Sequence, residues 1–105
     1  MIKISVMYPV GRDVHFNHRY YCDVHMPLVK RRLENCLLSY SIDKGLSGFE
    51  PDSSPLYVCI GHLYCESIET FRSGIALHGE ELTNDIANFT NAAPVYQISD
   101  VIELG

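Results

Sequence analysis

The stretch LYVCIGHLY, residues 56–64, is the strongest strand signal in the chain. Consecutive side chains of a strand point to opposite faces of its sheet. Large apolar groups occur on both faces here, with Leu56, Val58, Ile60 and Tyr64 on one and Tyr57, Cys59 and Leu63 on the other. Both faces of this strand are therefore predicted to be buried, which places it inside a sheet.

The chain before this strand begins with another alternating run. Residues 2–8 alternate between apolar and other side chains and predict a strand. Asp13 is a plausible N-cap for a helix that runs to Pro27. Because proline disfavours helical angles in the residue before it, His25-Met26-Pro27 is predicted to mark a kink or a break in the helix. Pro27 then opens a second short helix through about Glu34.

The remaining segments complete the pattern. Residues 37–42 predict a strand, and the polar residues 43–55 predict the longest loop. Ser67 is a good N-cap for a helix whose apolar stripe extends to Phe89, and residues 95–104 alternate as a last strand. The resulting order is the ferredoxin-like βαββαβ arrangement of an α+β domain. Right-handed crossovers place both helices on one face of a four-stranded antiparallel sheet.

Length and composition limit the possible classes of protein. The 105 residues suit one domain spanning positions 1–105. Thirteen acidic against eight basic side chains give a net charge of -5, which argues against nucleic acid as a partner. No apolar run approaches the ~20 residues that cross a membrane. The four cysteines lack C-x-x-C spacing and no signal-peptide pattern is present, so a reducing cytoplasm is predicted.

The sheet face without helices is not polar in this sequence. Whichever register is chosen, the strands carry large apolar groups on both sides, among them Met7, Leu37, Tyr57, Leu63, Tyr96 and Ile98. A sheet face exposed to water is normally polar. We therefore predict a symmetric homodimer in which two sheets pack face to face and bury roughly 1,200–2,000 Å² or more.

Two motifs occur in order along the chain. The first is FNHRYYCDVHMPLV, residues 16–29, and the second is DIANFTN, residues 85–91, followed by Pro94-Val95 and Gln97-Ile98-Ser99. Together they resemble the EthD-like family, named for ethyl tert-butyl ether degradation. The resemblance implies the dimeric α+β barrel superfamily and a role in catabolism. That superfamily includes isomerases, cyclases, monooxygenases and haem-handling enzymes, so the fold does not define a reaction.

Tyr21 and His25 are the first choice for catalytic residues. They are four residues apart, which places them on the same face of a continuous helix. An imidazole exchanges a proton near neutral pH, and a phenol stabilises a developing enolate or carbonyl oxygen. Two alternatives stay open: Tyr20 replaces Tyr21 if the helix phase differs by one residue, or His25 only bonds the backbone freed by Pro27.

A pocket between the helices and the sheet is predicted to bind the substrate. The predicted substrate-binding residues are Phe16, Tyr20, Phe71, Ile75, His78 and Phe89. The same residues at the same spacing also suit an ordinary core. His62 is another candidate for the pocket wall. Asp85 could orient a histidine, although helix capping is the favoured interpretation of that segment.

No cofactor is predicted. His15 and His18 are three residues apart, but no carboxylate or cysteine completes a set of metal ligands. One histidine would be enough for haem, so that possibility stays open. The predicted function is a cofactor-independent cyclase, isomerase or dehydratase that acts by proton transfer on a hydrophobic carbonyl or phenolic compound. The alternative is a non-catalytic ligand-binding protein or an accessory subunit of an oxygenase system.

Overall fold

The computed structural model covers residues 1–105 and confirms the predicted α+β fold. The elements in chain order are β1 (Ile2–Pro9), α1 (His18–Tyr20), a π turn (Tyr21–His25), α2 (Met26–Arg32), β2 (Leu37–Lys44), β3 (Tyr57–Cys65), α3 (Ile68–Asp85), a 3-10 turn (Ile86–Asn88) and β4 (Val95–Asp100). The four strands form one antiparallel sheet in the order β2-β3-β1-β4. This is the ferredoxin-like topology.

The register of the strands assigns each side chain to one of two faces of the sheet. Ile4 pairs with Leu63, and both point towards α2 and α3. We call this side the helix face. The opposite side, the outer face, carries no helix. It includes half-buried apolar side chains, namely Met7, Val58, Ile60 and Tyr64. Within one chain, β3 is therefore fully buried only on its helix face.

Aromatic side chains form the part of the core beneath α1 and the π turn. Tyr8, Tyr21 and Phe89 are each 1% exposed. Their ring centroids are 5.1–5.7 Å apart in edge-on or tilted arrangements, as aromatic pairs prefer. Phe16 packs 5.0 Å from Tyr8. This cluster joins the first strand to the helices above it.

The first helical segment begins later than the sequence predicts. Asn17 is its N-cap and accepts a hydrogen bond from the backbone N–H of Tyr20 at 3.0 Å. Asp13 lies in a preceding turn. Phe16 forms an isolated bridge with Thr90 instead of a helical turn. The predicted N-cap at Asp13 is therefore wrong, because the chain first pairs with the segment that precedes β4.

The helix does not break at Pro27, because a π turn carries it through this region, but the predicted second helix that opens with Pro27 is present as α2. Met26 keeps helical angles, with φ −66° and ψ −37°. Its N–H donates to the carbonyl of Tyr21, five residues back, which defines a π turn. Pro27 then stands in the first turn of α2. In that position its missing N–H costs no helical hydrogen bond.

The second half of the chain follows the sequence prediction more closely. Ser67 caps α3 as predicted and accepts a hydrogen bond from the Thr70 N–H at 3.2 Å. The helix α3 continues through Gly79. The last strand ends at Asp100, whereas the sequence predicted residue 104. None of the helices combines the length and hydrophobicity that a bilayer crossing requires.

Candidate active site

A cavity of about 420 Å³ lies between the helix face of the sheet and the helices α2 and α3. This volume falls within the ~300–1,000 Å³ of small-molecule sites. Fourteen of its eighteen lining residues are hydrophobic, and none is a lysine, arginine, aspartate or glutamate. Its polar side chains are Tyr8, Tyr21, His25, Thr83 and Tyr96. The cavity therefore suits a neutral and largely apolar molecule.

His25 lines this cavity, and a carboxylate holds one of its ring nitrogens. The Nδ1 atom of His25 lies 2.8 Å from Oδ2 of Asp85. The two side chains are only 7% and 13% exposed. Because a carboxylate can only accept a hydrogen bond, Nδ1 carries the proton and donates it to Asp85. The predicted histidine thus has an orienting partner at the far end of α3.

Two further donors fix the Asp85 carboxylate. The Tyr20 hydroxyl donates to Oδ1 at 2.7 Å, and the Asn88 side-chain amide donates to the same oxygen at 3.0 Å. Burial acts to raise the pKa of Asp85, but its hydrogen-bond donors outweigh burial and lower the pKa. Asp85 is therefore an anion at neutral pH. Its side chain makes no capping hydrogen bond to the helix backbone, so helix capping does not account for these contacts.

The other ring nitrogen of His25 is open to the cavity. Every fully enclosed side-chain nitrogen or oxygen in the protein has a hydrogen-bond partner. His25 bonds only through Nδ1, so its Nε2 must be accessible, and the cavity is what the side chain faces. Burial lowers the pKa of His25 below its ordinary 6.5, although contact with Asp85 partly opposes that shift. At neutral pH the imidazole is therefore an uncharged base.

The π turn places Tyr21 beside His25. Their rings stack with centroids 5.6 Å apart and planes 18° apart. On the sheet below, a Cβ added at Gly61 would overlap the Tyr21 hydroxyl, so glycine makes room for the phenol. Tyr21 lines the cavity, whereas Tyr20 bonds Asp85 and does not line it. Of the two tyrosines that the sequence left open, Tyr21 is therefore the one that faces the cavity.

The predicted substrate-binding residues divide into two groups. Two of them, Phe71 and Ile75, line the cavity. The other four do not line it: Phe16, Tyr20, Phe89 and His78. The phenyl rings of this second group pack behind His25 in the aromatic cluster, with Phe89 4.6 Å from the imidazole. His78 lines a separate polar cleft of about 310 Å³.

Sequence reasoning missed most of the cavity wall, including three residues that the strands contribute. Tyr8 was assigned to a strand without a functional role, although its phase with Ile4 places it on the helix face. Gly61 and Tyr96 also line the cavity. The alternation of side chains along the strands could have predicted them. Side chains that share a sheet face with core residues also lie in the space beneath the helices.

Other reactive side chains lie away from the cavity. His62 points to the outer face, where its Nε2 lies 2.8 Å from Oδ2 of Asp43. All four cysteines are free thiols. Burial raises the pKa of Cys59 to about 12, so this thiol is not a nucleophile at neutral pH. No group of three or more His, Cys, Asp or Glu side chains gathers as metal ligands would.

The fold matches solved structures over nearly the whole chain. An EthD-like protein from Ralstonia eutropha JMP134 is 44% identical with a TM-score of 0.94, and the match covers 97% of this chain and 92% of that one. An ethyl tert-butyl ether degradation family protein from Bacillus halodurans C-125 is 13% identical, with a TM-score of 0.66 and coverages of 97% and 99%. An antibiotic biosynthesis monooxygenase is 12% identical, with a TM-score of 0.51 and coverages of 98% and 100%. The comparison with curated proteins gave no match.

The more distant of these likenesses show the ferredoxin-like α+β fold alone. The EthD domain model matches residues 13–93. Together with the 44% identity to the Ralstonia protein, this match shows that the chain belongs to the EthD family. The resemblance noted in the sequence is confirmed. These relationships support a function that involves small molecules.

Proposed function

We propose that this EthD-family protein is a small, cofactor-independent catabolic enzyme that transfers a proton on a hydrophobic carbonyl or phenolic compound. Cyclases, isomerases and dehydratases use such a step. One observation carries the proposal: Nε2 of His25 opens into an apolar cavity while a buried carboxylate holds Nδ1 at 2.8 Å. His25 is the proposed base, and Tyr21 is the proposed donor to the substrate oxygen.

The chemistry follows from the two nitrogens of His25. Nε2 removes a proton from the carbon next to a carbonyl group, and the electron pair moves towards the oxygen. The imidazolium that forms is stabilised because its Nδ1–H faces the Asp85 carboxylate. The same imidazolium can then return a proton to the substrate. A positioned histidine contributes about 10²–10⁴-fold to such a step.

The test uses 2-tetralone, a neutral bicyclic ketone with acidic C–H groups next to its carbonyl. In D₂O, reversible proton transfer replaces those hydrogens with deuterium, which NMR follows directly. We expect the protein to accelerate this exchange and His25→Gln to lose about 100-fold or more of the acceleration. Glutamine keeps the polarity of the site but has no basic nitrogen. His78→Gln, outside the cavity, is the matched control and should exchange at the original rate.

The outcomes separate the two candidate functions. Equal exchange rates for His25→Gln and the unaltered protein contradict His25 as the base. If the protein binds 2-tetralone in an NMR titration but does not accelerate exchange, the ligand-binding or accessory role replaces the enzymatic one. The cavity of about 420 Å³ supports a bound molecule in either case.

We also propose that the protein is a cytoplasmic homodimer that pairs through its outer face. Met7 and Ile60 occupy paired positions on that face and are half-buried in the single chain. A second sheet would remove this apolar surface from water. The buried free thiols fit a reducing compartment.

Light scattering tests the dimer directly. We expect a mass twice the 11.9 kDa of one chain at micromolar concentration. Ile60→Lys should produce the single-chain mass, because burying an unpaired charge in the interface is unfavourable. Leu77→Lys is the matched control, since Leu77 is 80% exposed on α3. A single-chain mass for the unaltered protein would rule out this assembly.

A further inference from the structure

Tyr8 is a second buried phenol in the cavity, and the mechanism above gives it no role. Tyr8 and Tyr21 are each 1% exposed, and their ring centroids are 5.6 Å apart with planes at 79°. Both side chains line the cavity. The Tyr8 and Tyr21 hydroxyls are hydrogen-bonded to each other, whereas the Tyr20 hydroxyl is bonded to Asp85.

The hydroxyls of Tyr8 and Tyr21 form a pair beside the cavity, which both side chains line. Buried polar groups nearly always have a hydrogen-bond partner. Each phenol can donate one hydrogen bond and accept others. The bond between the two hydroxyls uses only one of their two protons, so the pair has an O–H group left to donate to a bound molecule.

The sheet brings these two hydroxyls together. Tyr8 pairs with Cys59 across β1 and β3, and Gly61 lies two positions further along β3 beneath the Tyr21 hydroxyl. The hydrogen bond between the hydroxyls acts to lower the pKa of Tyr8 and to raise that of Tyr21. Burial raises both pKa values, so both phenols keep their protons at neutral pH. They are a pair of neutral donors.

We propose that Tyr8 and Tyr21 donate hydrogen bonds to the same oxygen atom of the substrate. This inference rests on the proposed function and adds Tyr8 as a catalytic residue. When Nε2 of His25 removes the proton, the C–H bond breaks, an N–H bond forms, and the electron pair ends on the substrate oxygen as an enolate. Donors placed where negative charge develops stabilise the transition state. Return of the proton to carbon restores His25.

The same arrangement limits the class of substrate. No lysine or arginine lines the cavity, so a carboxylate or phosphate group would have no charged partner there. Two phenols can hold one ketone or phenol oxygen, and the rest of the cavity wall is mainly apolar. The site therefore takes a neutral ring compound with an oxygen at one end and hydrocarbon at the other.

The first test compares two ligands of similar shape. 2-Tetralone carries the oxygen, and tetralin is the corresponding hydrocarbon without it. We expect Tyr8→Phe to weaken 2-tetralone binding about fivefold to tenfold in an NMR titration, as the loss of one hydrogen bond implies. Tetralin binding should not change. Tyr40→Phe, whose tyrosine does not line the cavity, is the matched control and should bind both ligands normally.

Two further measurements separate a catalytic role from a structural one. The infrared carbonyl band of ¹³C-labelled 2-tetralone should move to lower frequency on binding, and Tyr8→Phe and Tyr21→Phe should each reverse part of that shift. Tyr8→Phe should lower the Tm of the free protein only slightly, as the loss of its one hydrogen bond, to Tyr21, implies. An unchanged carbonyl band in Tyr8→Phe would overturn the assignment.

Failure of this inference is distinguishable from failure of the proposed function. If His25→Gln abolishes deuterium exchange while Tyr8→Phe keeps the original affinity, carbonyl band and exchange rate, the role of His25 stands and that of Tyr8 is wrong. If the unaltered protein neither binds 2-tetralone nor accelerates its exchange, both proposals are wrong.

Discussion

The protein contains two histidine–aspartate pairs of equal length on opposite sides of its sheet. His25 and Asp85 meet at 2.8 Å under the helices, and His62 and Asp43 meet at 2.8 Å on the outer face. The first carboxylate is 13% exposed, the second 61%. His62 uses both ring nitrogens, since its Nδ1 is 3.1 Å from the Ser5 hydroxyl. His25 uses only one.

This difference shows that environment decides what a histidine–aspartate pair can do. The outer pair has no unpaired ring nitrogen and does not line the apolar cavity. The inner pair has a free nitrogen, an apolar cavity and a carboxylate that three donors fix in place. Distance alone would rank the two pairs as equal. Only the inner pair combines a free ring nitrogen with an adjoining apolar cavity.

Replacing the two aspartates in turn should give the largest contrast. Asp85→Asn removes the charge that stabilises imidazolium, so we expect a loss of about 100-fold in deuterium exchange of 2-tetralone. Asp43→Asn should leave the exchange rate unchanged and cost at most about 1 kcal/mol of stability, because that pair is largely exposed. NMR exchange rates and thermal unfolding check both variants. Equal losses of activity would contradict the distinction between the pairs.

A smaller effect concerns which nitrogen carries the proton in the imidazole rings of His25 and His62. Since each carboxylate only accepts, the neutral rings should be opposite tautomers, with the proton on Nδ1 in His25 and on Nε2 in His62. Nitrogen-15 NMR distinguishes these forms, and His25→Gln and His62→Gln assign the signals. A pH titration of the assigned nitrogen-15 signals should place the pKa of His25 below 6.5. In Asp85→Asn that pKa should fall further, because the carboxylate acts to raise it.

The sign of the pH effect on stability follows from this lowered pKa. Below about pH 6.5 the unfolded chain binds a proton at His25 more readily than the folded chain. The contribution of neutral His25 to the free energy of unfolding is therefore complete above that pH. It declines as the pH falls to the pKa of His25 in the folded state. Exchange of 2-tetralone should decline over the lower part of the same range, because protonated His25 cannot act as a base. A flat rate between pH 4 and 7 would exclude this titration.

Much of the fold could be predicted because the strands alternate strongly. Residues 2–8 and 56–64 assign their side chains to faces by simple alternation, and Ser67 has the side chain that a helix start requires. The pairing of Tyr21 with His25 could also be predicted, since they are neighbours along one helix. Local sequence patterns therefore predict local structure well.

The rest depends on contacts that the sequence does not encode locally. Asp85 is sixty residues from His25, and an aspartate near a helix end is equally consistent with capping. The π turn has no residue pattern of its own, because it forms where packing favours a longer turn. Tyr8 looked like core until the cavity showed that its hydroxyl adjoins open space.

The π turn also has a consequence for how this site could arise or disappear. It contains one residue more than the α-helical turn that it replaces, and its i to i+5 hydrogen bond joins Met26 to Tyr21. Loss of one of the residues between Tyr21 and His25 would restore α-helical winding. The two residues would then be three positions apart, which still places them on one face of a helix. A single insertion could thus have produced the longer turn without separating phenol from imidazole.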